Sequence, residues 1–107
     1  MSGKMLQINF KLKVPVSDYV DTVTPLASSI AEIPGLLWKV WLINEAENEA
    51  GGIYWFNDAA SLQAYLDGPI VAAIIAHPAL ADVNAKVFDS IPRLSKITSG
   101  PVSSAAV

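Results

Sequence analysis

The sequence predicts a ferredoxin-like α+β fold, in which one four-stranded antiparallel sheet carries helices on one face in the order β-α-β-β-α-β. Four alternating or continuous apolar runs have the length of strands, and helix-length amphipathic segments lie between them. Prolines and glycines lie between the predicted strands and helices and mark their ends. With 107 residues, the chain is expected to form one domain over positions 1–90, followed by a tail over 91–107.

The first strand and the first helix are separated by a proline. Positions 5–14 alternate between apolar and polar side chains, which is typical of a half-buried strand. A helix is predicted from there to Ile33, with Ser17 or Asp18 as the capping side chain. Pro25 lies inside this helix and predicts a kink, because proline removes a backbone donor.

The next two strands are predicted to form a hairpin around the polar segment NEAENEA. The first covers 36–43 and the second 51–56. Because side chains alternate along a strand, we expect Trp38 to face the helices and Trp41 to face the opposite side. The paired glycines at 51–52 indicate either a β-bulge or space for a close approach of backbone or ligand.

The remaining elements follow from capping and breaking residues. Asp58 is predicted to cap a second helix, and Pro69 suits the first turn of a further helical segment over 70–77. The fourth strand is expected over 83–89. The tail that follows is expected to be irregular and could pack on a partner subunit.

Composition limits the classes of partner. The net charge is −3 without a basic cluster, which argues against binding nucleic acid or anionic membranes. The absence of cysteine excludes disulfides and thiolate metal sites. Hydrophobic residues make up 52%, so we expect a homodimer that hides an uncovered sheet face bearing Leu37, Trp41 and Ile43. No targeting segment is visible, which predicts a cytoplasmic location.

Aromatic side chains are candidates for an apolar pocket. The sharper interpretation makes them walls of a flat slot between sheet and helices that binds a small aromatic molecule; the plainer one makes them core anchors. The slot would be lined by Trp38, Tyr54, Trp55, Phe56 and Tyr65.

Three polar residues carry further alternatives. His77 is the only histidine, either a capping imidazole at a helix end or a general base. Asn9 can bind substrate or make a hydrogen bond at a dimer interface. Lys39 lies among apolar residues, where it either has a lowered pKa or extends its ammonium group to solvent or to a carboxylate. One histidine cannot build a multi-histidine metal site, so no metal is expected.

The strings EIPGLLWKVW, NEAGGIYWFND, AYL and AKVFD resemble the YdhR family of small mono-oxygenases, over about positions 5–90. The resemblance implies a dimeric α+β barrel and mono-oxygenation of a small aromatic or polycyclic compound without a cofactor. In that chemistry His77 would be the base, Tyr54 or Tyr65 the oxyanion donor, and Trp38 and Phe56 the walls. Fold alone does not fix the reaction.

Two other functions remain open from the sequence. One is a dimeric small-molecule-binding protein without turnover. The other is haem degradation, which the same superfamily contains and for which Asn9, Trp55 and His77 would supply the asparagine, tryptophan and histidine.

Overall fold

The computed structural model describes residues 3–102 and has the predicted order of strands and helices. The strands are Lys4–Leu12 (β1), Leu36–Asn44 (β2), Glu49–Phe56 (β3) and Leu80–Phe88 (β4). The helices are Val16–Ala31 (α1), Ala59–Leu66 (α2), Pro69–Ala76 (α3) and Pro92–Ile97 (α4). The predicted ferredoxin-like α+β fold is therefore confirmed.

The four strands form one antiparallel sheet in the order β2-β3-β1-β4, so the central strands are β3 and β1. The side of the sheet that faces α1, α2 and α3, here called the helix face, carries the core. Most of the even-numbered side chains of β1 and of β3 are buried there against these helices. The buried core residues are Leu6, Ile8, Phe10, Leu12, Tyr19, Ile30, Ala50, Tyr54, Phe56, Leu62, Tyr65 and Val71.

The ends of α1 differ from the prediction. The helix starts at Val16, with Pro15 in the capping position and no side-chain capping bond, so Ser17 and Asp18 lie in the first turn instead. Proline is already close to helical φ and has no donor to satisfy there. The helix also continues through Pro25 without a break. The predicted cap of α2 is confirmed, because the Asp58 carboxylate accepts a hydrogen bond from the Ser61 amide at 2.7 Å.

The register of β2 reverses the predicted faces of the tryptophans. Lys39 lies opposite Tyr54 and Trp41 opposite Gly52, so Lys39 and Trp41 share the helix face. Trp38 lies opposite Trp55 on the other side, here called the outer face. Alternation along β2 does not say which set of side chains faces the helices, and pairing with β3 and an irregularity between Leu36 and Trp38 set the register.

The outer face therefore differs in composition from the one expected. Trp41 and Ile43 lie on the helix face near the sheet edge, and Leu37 lines a cleft against α1. The apolar side chains of the outer face come instead from all four strands. They are Met5, Trp38, Val40, Leu42, Ile53, Trp55 and Phe88.

The paired glycines do not form a bulge. The register between β1 and β3 runs without interruption through Gly51 and Gly52. A Cβ on Gly51 would lie 2.0 Å from the carbonyl oxygen of Ile8, and a Cβ on Gly52 would lie 2.6 Å from Cε of Lys39. Each glycine therefore permits a close approach, the first of backbone and the second of a side chain.

β4 begins at Leu80, three residues earlier than predicted, because the strand contains an irregularity that hides its alternation. Asp82 has a φ of 55°, in the left-handed region. The tail is also more regular than expected, since it contains α4. After it the chain returns to the opposite edge of the sheet, where the Pro101 carbonyl accepts a hydrogen bond from Trp38 Nε1 at 2.7 Å. The tail was predicted over 91–107, and its last part, 103–107, lies outside the described residues.

Within positions 3–102, no single helix is long and apolar enough to cross a bilayer. The α2–α3 pair has that length and composition only when taken together, and it is bent by 43°.

Candidate active site

An apolar cavity of about 210 Å³ lies between α1, α3 and the start of β4. Its volume exceeds that of a cavity of about 150 Å³ known to bind benzene in another protein. Its lining is almost entirely hydrocarbon. The lining residues are Val14, Tyr19, Thr22, Val23, Leu26, Pro69, Ile70, Ala73, Ile74, His77, Ala79 and Leu80.

Helical spacing places these side chains on facing surfaces. In α1, residues 19, 23 and 26 recur at intervals of four and three, so they share one face. In α3, residues 70, 73, 74 and 77 do the same. The small side chains of Ala73 and Ala79 leave space between the helices that larger residues would fill. The sequence therefore creates the cavity by placing alanines within two apolar helical faces.

Tyr19 is the aromatic wall of this cavity, and our sequence interpretation had not assigned it to the site. Its ring is buried and packs edge-on against Phe10, with ring centroids 5.8 Å apart. Burial raises the pKa of the Tyr19 phenol, so the group stays protonated at neutral pH. The signal that could have revealed it is its spacing from Val23 and Leu26 on the inward face of α1.

His77 is half-buried and follows the last residue of α3, so it lies at one end of the cavity. Its Nδ1 accepts a hydrogen bond from the Ala79 amide at 3.1 Å. In this arrangement the neutral ring carries its proton on Nε2, which makes that nitrogen a donor. To act as a base through Nε2, the ring would have to carry its proton on Nδ1 instead, and Nδ1 could then no longer accept the hydrogen bond from Ala79. The geometry therefore favours donation by His77 over the predicted base role.

Tyr54, Phe56 and Tyr65 form one buried aromatic cluster beside the cavity. The hydroxyls of Tyr54 and Tyr65 share a hydrogen bond of 2.9 Å. The Phe56 ring stacks on Tyr54 at 6.2 Å and tilts against Tyr65 at 5.7 Å. Burial raises the pKa of both phenols, for Tyr54 with a further contribution from Tyr65.

This cluster is packed core rather than an open slot. Of its members, Tyr65 also lines a second cleft, of about 380 Å³, between the end of α1 and α2. That cleft shares Pro69 and Ile70 with the cavity that contains His77. The predicted catalytic residues are thus divided, with His77 at the cavity and the two tyrosines paired behind it.

The other predicted binding residues lie on the outer face. Trp38, Trp55 and Asn9 share that face, where Asn9 Oδ1 accepts a hydrogen bond from Gln7 Nε2 at 3.1 Å. The prediction that Trp38 and Trp55 line a slot beneath the helices is wrong, because strand register turns both away from the helices. The sheet also separates Asn9 and Trp55 from His77, so the three residues suggested for haem degradation do not meet.

A metal centre has no candidate among the described residues. Within positions 3–102, no group of three or more His, Cys, Asp or Glu side chains is arranged to hold a metal ion.

The elements and the cavity define a ferredoxin-like α+β protein with an apolar site beneath its helices. Residues 5–101 match the family described as "Putative mono-oxygenase ydhR". The chain belongs to this family, as its sequence strings had indicated.

Three solved structures of similar fold come from bacterial proteins. NE2512, a protein of unknown function from Nitrosomonas europaea, is 23% identical with a TM-score of 0.65, over 85% of this chain and 91% of that chain. SnoaB, a cofactor-independent oxygenase from Streptomyces nogalater, is 16% identical with a TM-score of 0.69, over 84% and 94%. The haem degrader MhuD from Mycobacterium tuberculosis is 18% identical with a TM-score of 0.60, over 81% and 95%. No curated protein sequence matches the chain.

Proposed function

We propose that the protein is a cofactor-independent mono-oxygenase that oxidises a small aromatic or polycyclic compound in the cavity between α1 and α3. The observation that carries this proposal is an apolar cavity with one imidazole at its end. Membership of a mono-oxygenase family supports the reaction class, and the likeness to SnoaB supports the fold in which such a reaction occurs.

The reaction needs no external reductant when the substrate supplies all the electrons. A ring CH₂ group activated by the carbonyl of a polycyclic ketone loses a proton to solvent, and the resulting enolate, whose oxygen carries the negative charge, passes an electron to O₂. Recombination gives a hydroperoxide, which loses water to leave a ketone. One oxygen atom enters the product and the other leaves as water, and the four electrons come from the substrate. The protein contributes binding, orientation and stabilisation of the substrate oxyanion.

Each lining group has a role in this scheme. The hydrocarbon walls from α1 and α3 exclude water and bind the flat faces of the substrate, and Tyr19 adds an aromatic surface. The Nε2–H of His77 donates to the oxygen on which negative charge develops. The Tyr54–Tyr65 pair keeps the adjacent core rigid.

The test is oxygen uptake with a polycyclic ketone that carries an activated CH₂ group, such as anthrone. We expect His77→Ala to lower turnover by about 10²-fold, as loss of an oxyanion donor does in other enzymes. His77→Gln, which keeps an N–H donor but no base, should retain more activity than His77→Ala. Ala73→Trp should abolish turnover by filling the cavity, while the exposed Ile75→Ala should leave it unchanged.

Two results would contradict the proposal. Binding of these compounds without oxygen uptake would indicate a binding protein that lacks turnover. Full activity in Ala73→Trp would place the reaction outside this cavity.

We further propose that the protein is a homodimer whose subunits pack through their outer faces. Val40 is 51% exposed and Phe88 45% exposed on that side of the sheet. Large apolar side chains exposed on one face support the burial of that face against a second copy of the chain. Light scattering at micromolar concentration should give twice the mass of one chain. Val40→Glu should shift the population to monomer, whereas Ile75→Glu on α3 should not. A monomeric mass for the unmodified protein would refute the dimer.

A further inference from the structure

A separate cleft, of about 180 Å³, lies on the helix face between α1 and the edge strand β2. The functional group in it is the amine of Lys39. Its Nζ lies 3.4 Å from the centre of the Trp41 ring and 4.5 Å from that of Tyr54. These two cation–π contacts hold the side chain folded over the sheet rather than extended to solvent.

Among residues 3–102, the amine has no carboxylate within ion-pairing distance. Over positions 3–102 the ion pair formed by the protein joins Lys4 and Asp89, and Lys39 takes no part in it. The residues that line the cleft from α1 and β2 are otherwise uncharged. They are Ala27, Ile30, Ala31, Leu36, Leu37, Trp38 and Trp41. From β3, the Tyr54 phenol is the titratable group that packs against the amine. This phenol is neutral at ordinary pH, because burial raises its pKa.

Burial lowers the pKa of Lys39 to about 7. The two ring faces offset part of this effect, because they attract the ammonium form. A substantial fraction of the side chain is then free amine at neutral pH, unlike an ordinary lysine. Free amine is the form that attacks carbonyl carbon.

The sheet beneath the side chain is shaped for it. A Cβ at position 52 would lie 2.6 Å from Cε of Lys39, so the stem occupies space that only glycine leaves open. The position of the amine therefore depends on Gly52 as well as on the two rings.

We infer that Lys39 is a nucleophilic amine that binds planar aromatic aldehydes covalently in the cleft between α1 and β2. The Nζ lone pair attacks the carbonyl carbon, and the carbinolamine loses one water to form an imine. The C=O bond is replaced by a C=N bond, the carbonyl oxygen leaves in the water, and no oxidant or reductant is required. Trp41 and the apolar side chains of α1 provide surfaces for the aromatic ring. This site is separate from the cavity between α1 and α3, so the inference does not rest on the proposed function.

The test uses the full-length protein, benzaldehyde and sodium cyanoborohydride, which reduces the imine to a stable benzylamine adduct. Peptide mapping by mass spectrometry then measures adduct formation at each of the six lysines in one sample. At about pH 7 we expect Lys39 to be modified at least about tenfold faster than the other five, because burial favours its free amine form. At about pH 10 this preference should shrink, because Lys39 is already fully deprotonated and gains nothing more from its lowered pKa.

Two comparisons distinguish a cleft that binds the aromatic ring from an amine that is reactive but has no binding site beside it. With propanal, which has no ring, the preference for Lys39 should fall relative to benzaldehyde. Gly52→Ala should lower the rate at Lys39 by several-fold while leaving the other lysines and the circular dichroism spectrum unchanged. Equal modification of all six lysines at pH 7, or an undiminished preference in Gly52→Ala, would overturn the inference.

Discussion

Replacement of Phe56 by alanine is expected to lower the free energy of unfolding by about 3–5 kcal/mol. Phe56 is 0% exposed and packs against the rings of both Tyr54 and Tyr65 on the helix face. Alanine would remove the transfer free energy of the ring and leave a cavity that the rigid sheet cannot close. The loss would also free the hydrogen-bonded tyrosine pair to shift beside the candidate site.

The measurement is chemical unfolding followed by tryptophan fluorescence, since the change leaves all three tryptophans in place. Ile75→Ala is the control, because Ile75 is 63% exposed on α3 and its loss should cost less than about 0.5 kcal/mol. Similar midpoints for the two variants would show that the aromatic cluster is loosely packed. The space for a ligand would then extend into it, as in the slot predicted from the sequence.

Gly51→Ala is expected to destabilise the protein by about 3 kcal/mol, the upper end of the usual overpacking cost. A Cβ there would lie 2.0 Å from the Ile8 carbonyl oxygen and 3.0 Å from the Cα of Asn9. Both atoms belong to the backbone of β1, so relief requires the two central strands of the sheet to move apart. Because β1 and β3 carry most of the core, that movement reaches the whole domain.

Gly52→Ala is the matched control one residue along the strand. Its Cβ would displace mainly Cε of Lys39, and a flexible side chain can move where a backbone cannot. We expect a loss of less than about 1.5 kcal/mol, again from chemical unfolding at fixed protein concentration. Equal losses in the two variants would mean that the glycines act through backbone flexibility rather than through contact.

The candidate site depends on small differences between neighbouring helical positions. Ala73 and Ala79 leave the space, Tyr19 closes one side and His77 supplies a donor at the end. A single change at position 73 can remove the cavity without touching the core residues of β1 and β3. Binding and stability are therefore separable by mutation, which the proposed experiments use.

The residue pattern alone was sufficient for the order of elements and the fold class. The signals used were local: alternation in β1, the Asp58 cap, and the prolines and glycines between elements. Such signals can be recognised without knowing which distant residues pack against them. The family could also be read from the strings around both tryptophan-containing strands. His77, predicted as a general base because it is the one histidine of the chain, lies at the cavity, and a catalytic role for it stays a prediction.

Tertiary pairing decided what the pattern left open. In β2 both alternating sets are apolar, so hydrophobicity could not say which set faces the helices, and the register with β3 put Lys39 and Trp41 there. The same register moved Trp38 and Trp55 away from the site, and helix packing brought Tyr19 into it. The sequence determined which residues form strands and helices because those choices depend on near neighbours. Only the folded structure decided which side chains share a cavity, because that depends on residues far apart in the chain.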